Sequence, residues 1–69
     1  MRYAVVLEKA ESNYSVYVPD LPGCVATGAT REEALQQIQE AIAFHLEGLQ
    51  RAGLPIPEAS TQTQYVDGA

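Results

Sequence analysis

Residues 19–34 read PDLPGCVATGATREEA, with two prolines, two glycines and the one cysteine of the chain set just ahead of a helix start. A run mixing fixed and flexible backbone so densely suits a catalytic loop, a ligand cradle or a sharp turn between strands. Its residue types favour the turn. Leu21-Pro22-Gly23-Cys24 matches a type II turn, because proline presets φ at the second position and glycine accepts a positive φ at the third. Asp20 is placed to brace that turn by accepting from a nearby amide. Pro19 has no amide hydrogen to give a ladder, so it marks the end of the strand before it. Cys24 to Thr27 then reads as a short third strand. Gly28 and Ala29 lead into Thr30-Arg31-Glu32-Glu33, a capping box. In it the Thr30 hydroxyl accepts from the Glu33 amide while the Glu33 carboxylate reaches back to the Thr30 amide.

Past the box the period changes to that of a helix. Ala34, Leu35, Ile38, Ala41, Ile42, His45, Leu46, Leu49 and Ala52 share one face at about 100° per residue. Glu33, Glu40 and Glu47 recur every seven residues on the opposite side. Gly53 offers a left-handed cap and Pro55 follows it, so the helix is expected to stop near Ala52. Leu54 to Glu58 is stiff and extended, since each proline disfavours helix in its predecessor. Ser60 to Val66, with Thr61, Thr63, Tyr65 and Val66, is expected as a short C-terminal edge strand. Upstream of Pro19, Tyr14 to Val18 alternates apolar and polar residues, and Tyr3 to Glu8 does so around an apolar centre. The polar link between them makes an antiparallel hairpin. The expected class is α+β: a three-stranded antiparallel sheet packed by one long helix, in a single domain over residues 1–69.

The totals narrow what such a domain does. Nine acidic and four basic residues leave a net charge of −5. Nucleic-acid binders carry the opposite sign, because neutralising phosphates supplies most of their affinity. Direct nucleic-acid binding is therefore not expected, and a basic partner fits better. A chain this short buries only about 60% of its unfolded surface, which favours homo-oligomers. Cys24 has no second cysteine to pair with, which suits a reducing cytoplasm, and His45 is the one histidine, too few for a structural zinc. The five apolar residues from Tyr3 to Leu7 are too few for a signal core or a membrane span. A cytoplasmic protein without membrane contact is expected.

No chemistry-bearing constellation stands out. Cys24 and His45 are the one conceivable nucleophile–base pair, yet His45 falls on the apolar helix face as an ordinary packed histidine would. Cys24 reads as a small apolar residue under the sheet. The strand centres, Ala4-Val5-Val6 and Ser15-Val16-Tyr17, carry no carboxylates, so no metal site is expected. Gly23 and Gly28 are too sparse for a phosphate loop, and Glu32 and Glu33 already occupy the helix N-terminus, so no cofactor is expected either. Phe44 is left over, off the apolar face and beside Gly48. Either the C-terminal tail or a second subunit would cover it. Tyr3, Tyr14, Tyr17 and Tyr65 also suit an interface. Glu33, Glu40, Phe44, Glu47 and Tyr65 are thus the candidate contacts for a partner or an oligomer, although a glutamate stripe is also what a plain solvated helix face presents.

Taken in order, Pro19-Asp20-Leu21-Pro22-Gly23-Cys24, Gly28-Ala29-Thr30-Arg31-Glu32-Glu33-Ala34, Glu40-Ala41-Ile42 and Gly53-Leu54-Pro55-Ile56-Pro57-Glu58 resemble the N-terminal domain of the HicB-like antitoxins over nearly the whole chain. The resemblance implies a β-β-β-α-β arrangement like a truncated ribonuclease H fold without nuclease activity. It implies a partner as well: a small basic HicA-type toxin that cleaves RNA and is blocked by direct contact in a type II toxin–antitoxin pair. Many relatives carry a C-terminal ribbon-helix-helix or helix-turn-helix domain for operator DNA. With the sequence ending at Ala69, none is expected here, and a dimer or tetramer would use the sheet, the helix flank or the tail. The expectation is an antitoxin and not an enzyme. An orphan protein-interaction domain without a toxin partner and a small enzyme using Cys24 remain as alternatives.

Overall fold

The computed structural model describes residues 2–68; Met1 and Ala69 lie outside them. The elements follow in the order β1 (Val6–Lys9), β2 (Tyr14–Tyr17), β3 (Val25–Gly28) and α1 (Arg31–Arg51). The strands form an antiparallel sheet in the order β1-β2-β3. The hairpin link closes with the Ala10 amide donating to the Asn13 carbonyl at 2.8 Å. β1 starts at Val6 rather than Tyr3. With Val6 opposite Tyr17, a longer ladder would set Ala4 against Pro19, which has no amide to share, while the Val18 amide already donates to the Cys24 carbonyl at 3.1 Å.

The register sorts side chains between two faces. Leu7, Val16 and Ala26 are cross-strand partners and face α1, as the period of two requires. Val16, Val18, Leu21, Cys24, Ala34 and Ile38 are buried, with Tyr3, Val5, Tyr14, Ile42 and Leu46 packed around them. Val6, Tyr17 and Val25 form the corresponding row on the other face.

Both ends of α1 follow from local sequence. Thr30 is extended (φ −126°, ψ 165°), and its hydroxyl accepts from the Glu33 amide at 3.1 Å. The Glu33 carboxylate accepts from the Ala29 amide at 2.9 Å, one residue further back than the sequence suggests. At the far end the Leu54 amide donates to the Leu49 carbonyl and the Gly53 amide to the Gln50 carbonyl, the bonding of a Schellman cap, with Gly53 at φ 69°. Gly28 is needed where β3 meets the helix start: a Cβ there would lie 2.8 Å from the Ala34 Cα and 2.9 Å from the Glu33 carbonyl carbon.

The expected edge strand at Ser60–Val66 does not form, and residues 54–68 contain no strand. The architecture is β-β-β-α. Pro55 and Pro57 have no amides for a ladder, and side chains hold the tail instead. The Tyr3 hydroxyl donates to the Pro57 carbonyl at 2.6 Å, and Asp20 takes the Thr61 amide.

Candidate functional site

The loop from Pro19 to Cys24 consists of two stitched turns. The Leu21 amide donates to the Val18 carbonyl at 3.1 Å and the Cys24 amide to the Leu21 carbonyl at 3.0 Å. Gly23 takes the expected positive φ, 84°. With those amides already bonded and Leu21 0% exposed, the loop points its largest side chain into the core. It does not form a cradle.

Asp20 has a different role from the one its neighbours suggest. The turn amides bond carbonyls, so the Asp20 carboxylate is available to the tail. It accepts from the Thr61 hydroxyl at 2.6 Å, the Thr61 amide at 2.9 Å and the Ser60 hydroxyl at 3.2 Å. Ser60 and Thr61 are contributors that sequence reasoning missed, since nothing local ties them to a residue 40 positions away. The Thr61 hydroxyl bond, then the Thr61 amide bond, hold the Asp20 carboxyl below its ordinary value of 3.8. A depressed carboxyl contributes its tether above the ordinary value and loses it as pH falls through the folded one. The Thr61 amide should therefore exchange slowly with solvent at pH 6 and lose protection on acidification below 3.8. Asp20→Ala should remove the protection at every pH; protection that survives the substitution would show that the tether lies elsewhere.

Between β3 and the middle of α1 lies an open cavity of about 470 Å³, whose lining includes Gly23, Cys24, Val25, Phe44, His45 and Gly48 and no charged residue. Cys24 and His45 thus share a cavity, but Cys24 is 4% exposed, and burial pushes its thiol pKa up. The thiolate is the nucleophilic form, so this cysteine is held in the unreactive one. Phe44 is 79% exposed; the tail does not cover it. Tyr65, on the tail, is 97% exposed.

The glutamate stripe divides by employment. Glu33 serves the helix cap. Glu47 pairs with Arg51 at 2.6 Å, an exposed contact worth only about 0.3–0.5 kcal/mol. Among the described residues, Glu40 alone of the three has neither a cap nor an ion pair. On the helix surface it lies one turn before Phe44, which places an anion beside an exposed aromatic ring. Among the described residues no group of three or more His, Cys, Asp or Glu is clustered to hold a metal ion, and no helix is long and apolar enough to cross a membrane.

Comparison with known proteins agrees with this architecture. The family model described as the HicB_like antitoxin of bacterial toxin–antitoxin system matches residues 3–68. A 14.9 kDa protein of Haemophilus phage HP1 is 39% identical over 67 residues, or 97% of this chain and 50% of the phage protein. The chain thus spans half the length of that relative. The crystal structure of the N-terminal domain of the Burkholderia pseudomallei antitoxin HicB superimposes with a TM-score of 0.76 at 32% identity, over 84% of this chain and 69% of that one. A chain of the HicA3 and HicB3 toxin–antitoxin complex does so with a TM-score of 0.71 at 31% identity, over 90% and 70% respectively. With a three-stranded sheet under one long helix and a family match across almost every residue, the chain belongs to the HicB-like antitoxins of bacterial toxin–antitoxin systems.

Proposed function

We propose that this chain is the antitoxin of a type II pair and that it silences a small basic HicA-type RNA-cleaving toxin by lying over its active site. The observation that carries this reading is the likeness to a chain of the HicA3–HicB3 complex across 90% of this sequence. The charge of −5 suits a basic partner, because opposite charges speed encounter and fix orientation. Occlusion needs no catalytic group, and burial of Cys24 argues against the alternative of an enzyme built on that thiol. We further read residues 1–69 as one domain that works in the cytoplasm without contacting nucleic acid itself.

Titrating a purified HicA-type toxin with this chain tests the proposal. A Kd below roughly 10 μM, about −7 kcal/mol, is expected, with RNA cleavage abolished at one equivalent. Toxin that keeps cutting RNA at saturation would refute it. The carboxylates beside Phe44 should act mainly on encounter. Glu40→Gln combined with Glu47→Gln is expected to lower the association rate about 3- to 10-fold at low ionic strength, an effect that fades at high salt. A rate independent of both substitutions and salt would place the toxin on another face.

A further inference from the structure

An aspartate or asparagine rearranges its own backbone only where the amide nitrogen of the next residue is free to reach its side-chain carbonyl carbon. The sequence offers three such pairs: Asn13-Tyr14, Asp20-Leu21 and Asp67-Gly68. The fold disarms the first two. The Val18 amide donates to the Cys24 carbonyl, and antiparallel ladders alternate. Tyr14, opposite Gly28, therefore turns its amide toward β3 and donates there. The Leu21 amide donates to the Val18 carbonyl at 3.1 Å, and both Asp20 carboxylate oxygens are taken by Ser60 and Thr61.

Asp67-Gly68 meets none of these restraints. No helix or strand includes residues 54–68, and Asp67 and Gly68 are both exposed. The tether from Asp20 ends at Thr61, and among the described residues nothing bonds the Gly68 amide. Gly68 has no side chain to crowd its nitrogen, and even a Cβ there would meet nothing within 4 Å.

We infer that Asp67 is a site of spontaneous isoaspartate formation and that the fold protects Asn13 and Asp20 from the same reaction. The Gly68 nitrogen attacks Cγ of the protonated Asp67 carboxyl. A C–N bond forms, a C–O bond breaks, and the hydroxyl departs with the amide proton as water, leaving a five-membered succinimide. Water then opens the ring at either carbonyl. Addition at Cγ restores aspartate. Addition at the backbone carbonyl carbon breaks its bond to the Gly68 nitrogen, so the chain continues through the side chain and the α-carboxylate is set free. No oxidant or reductant is needed, and mass and charge return to their starting values.

The rearrangement stays outside the packed structure. The sheet, α1 and the buried cluster all precede the tether at Thr61, so the isomerised chain keeps its fold. What changes is the tail, where a longer, bent backbone follows Tyr65 and Val66, which are 97% and 84% exposed. An exposed α-carboxylate on a β-linked residue is the group that an isoaspartate-specific carboxyl methyltransferase esterifies, taking the methyl group from a sulfonium donor. The aged chain is thus a substrate for that class of enzyme.

Ageing the full chain for weeks at about pH 7 and 37 °C tests the assignment, with the free peptide of residues 65–69 as the clock. Labelled methyl transfer by that enzyme, followed by peptide mapping, counts isoaspartate at each position. Asp67 should convert within about 5-fold of the rate in the peptide, as an untethered segment does, with helix content and melting temperature unchanged. Gly68→Val should slow the conversion at least about 10-fold, because a β-branched residue crowds the nitrogen and stiffens the backbone. Asp67→Glu should remove the label, since its ring would need a further atom. Conversion more than about 5-fold slower than in the peptide would show that the tail is held and would overturn the inference. So would label at Asn13 or Asp20 equal to that at Asp67, or a rate indifferent to Gly68→Val.

Discussion

Gly28→Ala is expected to remove about 3 kcal/mol of stability, an overpacking cost of about 1–3 kcal/mol plus about 1 kcal/mol for a weakened helix cap. The added methyl would press on the Ala34 Cα at 2.8 Å and the Glu33 carbonyl carbon at 2.9 Å. Both atoms belong to backbone in the first turn of α1, which has no rotamer to change. Relief requires moving that turn, and the turn is held by the Glu33 amide on the Thr30 hydroxyl and the Ala34 amide on the Thr30 carbonyl at 3.0 Å. For a domain of this size each kcal/mol shifts the melting temperature by about 4–8 °C, so a fall of roughly 12–24 °C should appear in thermal scans. Gly48 is the control: a Cβ there meets nothing within 4 Å, and Gly48→Ala should instead gain about 0.5–1 kcal/mol in a helix interior. Equal effects at the two glycines would mean that β3 and α1 do not approach so closely.

That contrast marks where sequence reading reaches its limit. The helix was legible because its signals are local: Thr30 and Glu33 begin it, Gly53 ends it, and a period near 3.6 connects them. The type II turn was legible for the same reason. Gly28 and Gly48 look alike in a sequence, because what separates them is the nearness of another element. Strand ends depend on partners too: Tyr3 to Val5 has the alternation of a strand but faces Pro19 across the register. The tail failed for a related reason. Thr61, Thr63 and Tyr65 have strand-forming side chains, yet the Thr61 amide serves Asp20 instead of a ladder.

The candidate contacts show the same division. Helical spacing alone places Glu33, Glu40 and Glu47 in one stripe and Phe44 at its border, and the structure leaves Phe44 79% exposed. Which carboxylate is available to a partner was not legible, since the Glu47–Arg51 pair and the Glu33 reach to Ala29 are choices of rotamer.

Leu21→Ala tests whether the Pro19–Cys24 loop is scaffold. Leucine-to-alanine changes at fully buried positions cost about 2–5 kcal/mol, and Leu21 is 0% exposed within a cluster that includes Val16, Val18, Cys24, Ala34 and Ile38. A loss of about 3 kcal/mol is expected. At about 0.05–0.15 kcal/mol per residue, a 69-residue domain holds only about 3–10 kcal/mol in total, so the variant should be partly unfolded at 37 °C. Pro22, exposed at the bend, contributes mainly a preset φ, and Pro22→Ala should cost less than about 1 kcal/mol. Cys24→Ser should fall between them, at about 1–3 kcal/mol, for a hydroxyl placed in the core without a partner. A loop whose work was recognition or catalysis would reverse this order, with its exposed residues governing activity and its stability barely responding. Urea denaturation of the three variants, read beside toxin binding at a temperature where each is folded, separates the cases. Scaffold predicts that binding follows the folded fraction, so a folded Leu21→Ala protein that has lost its partner would show that the loop itself makes the contact.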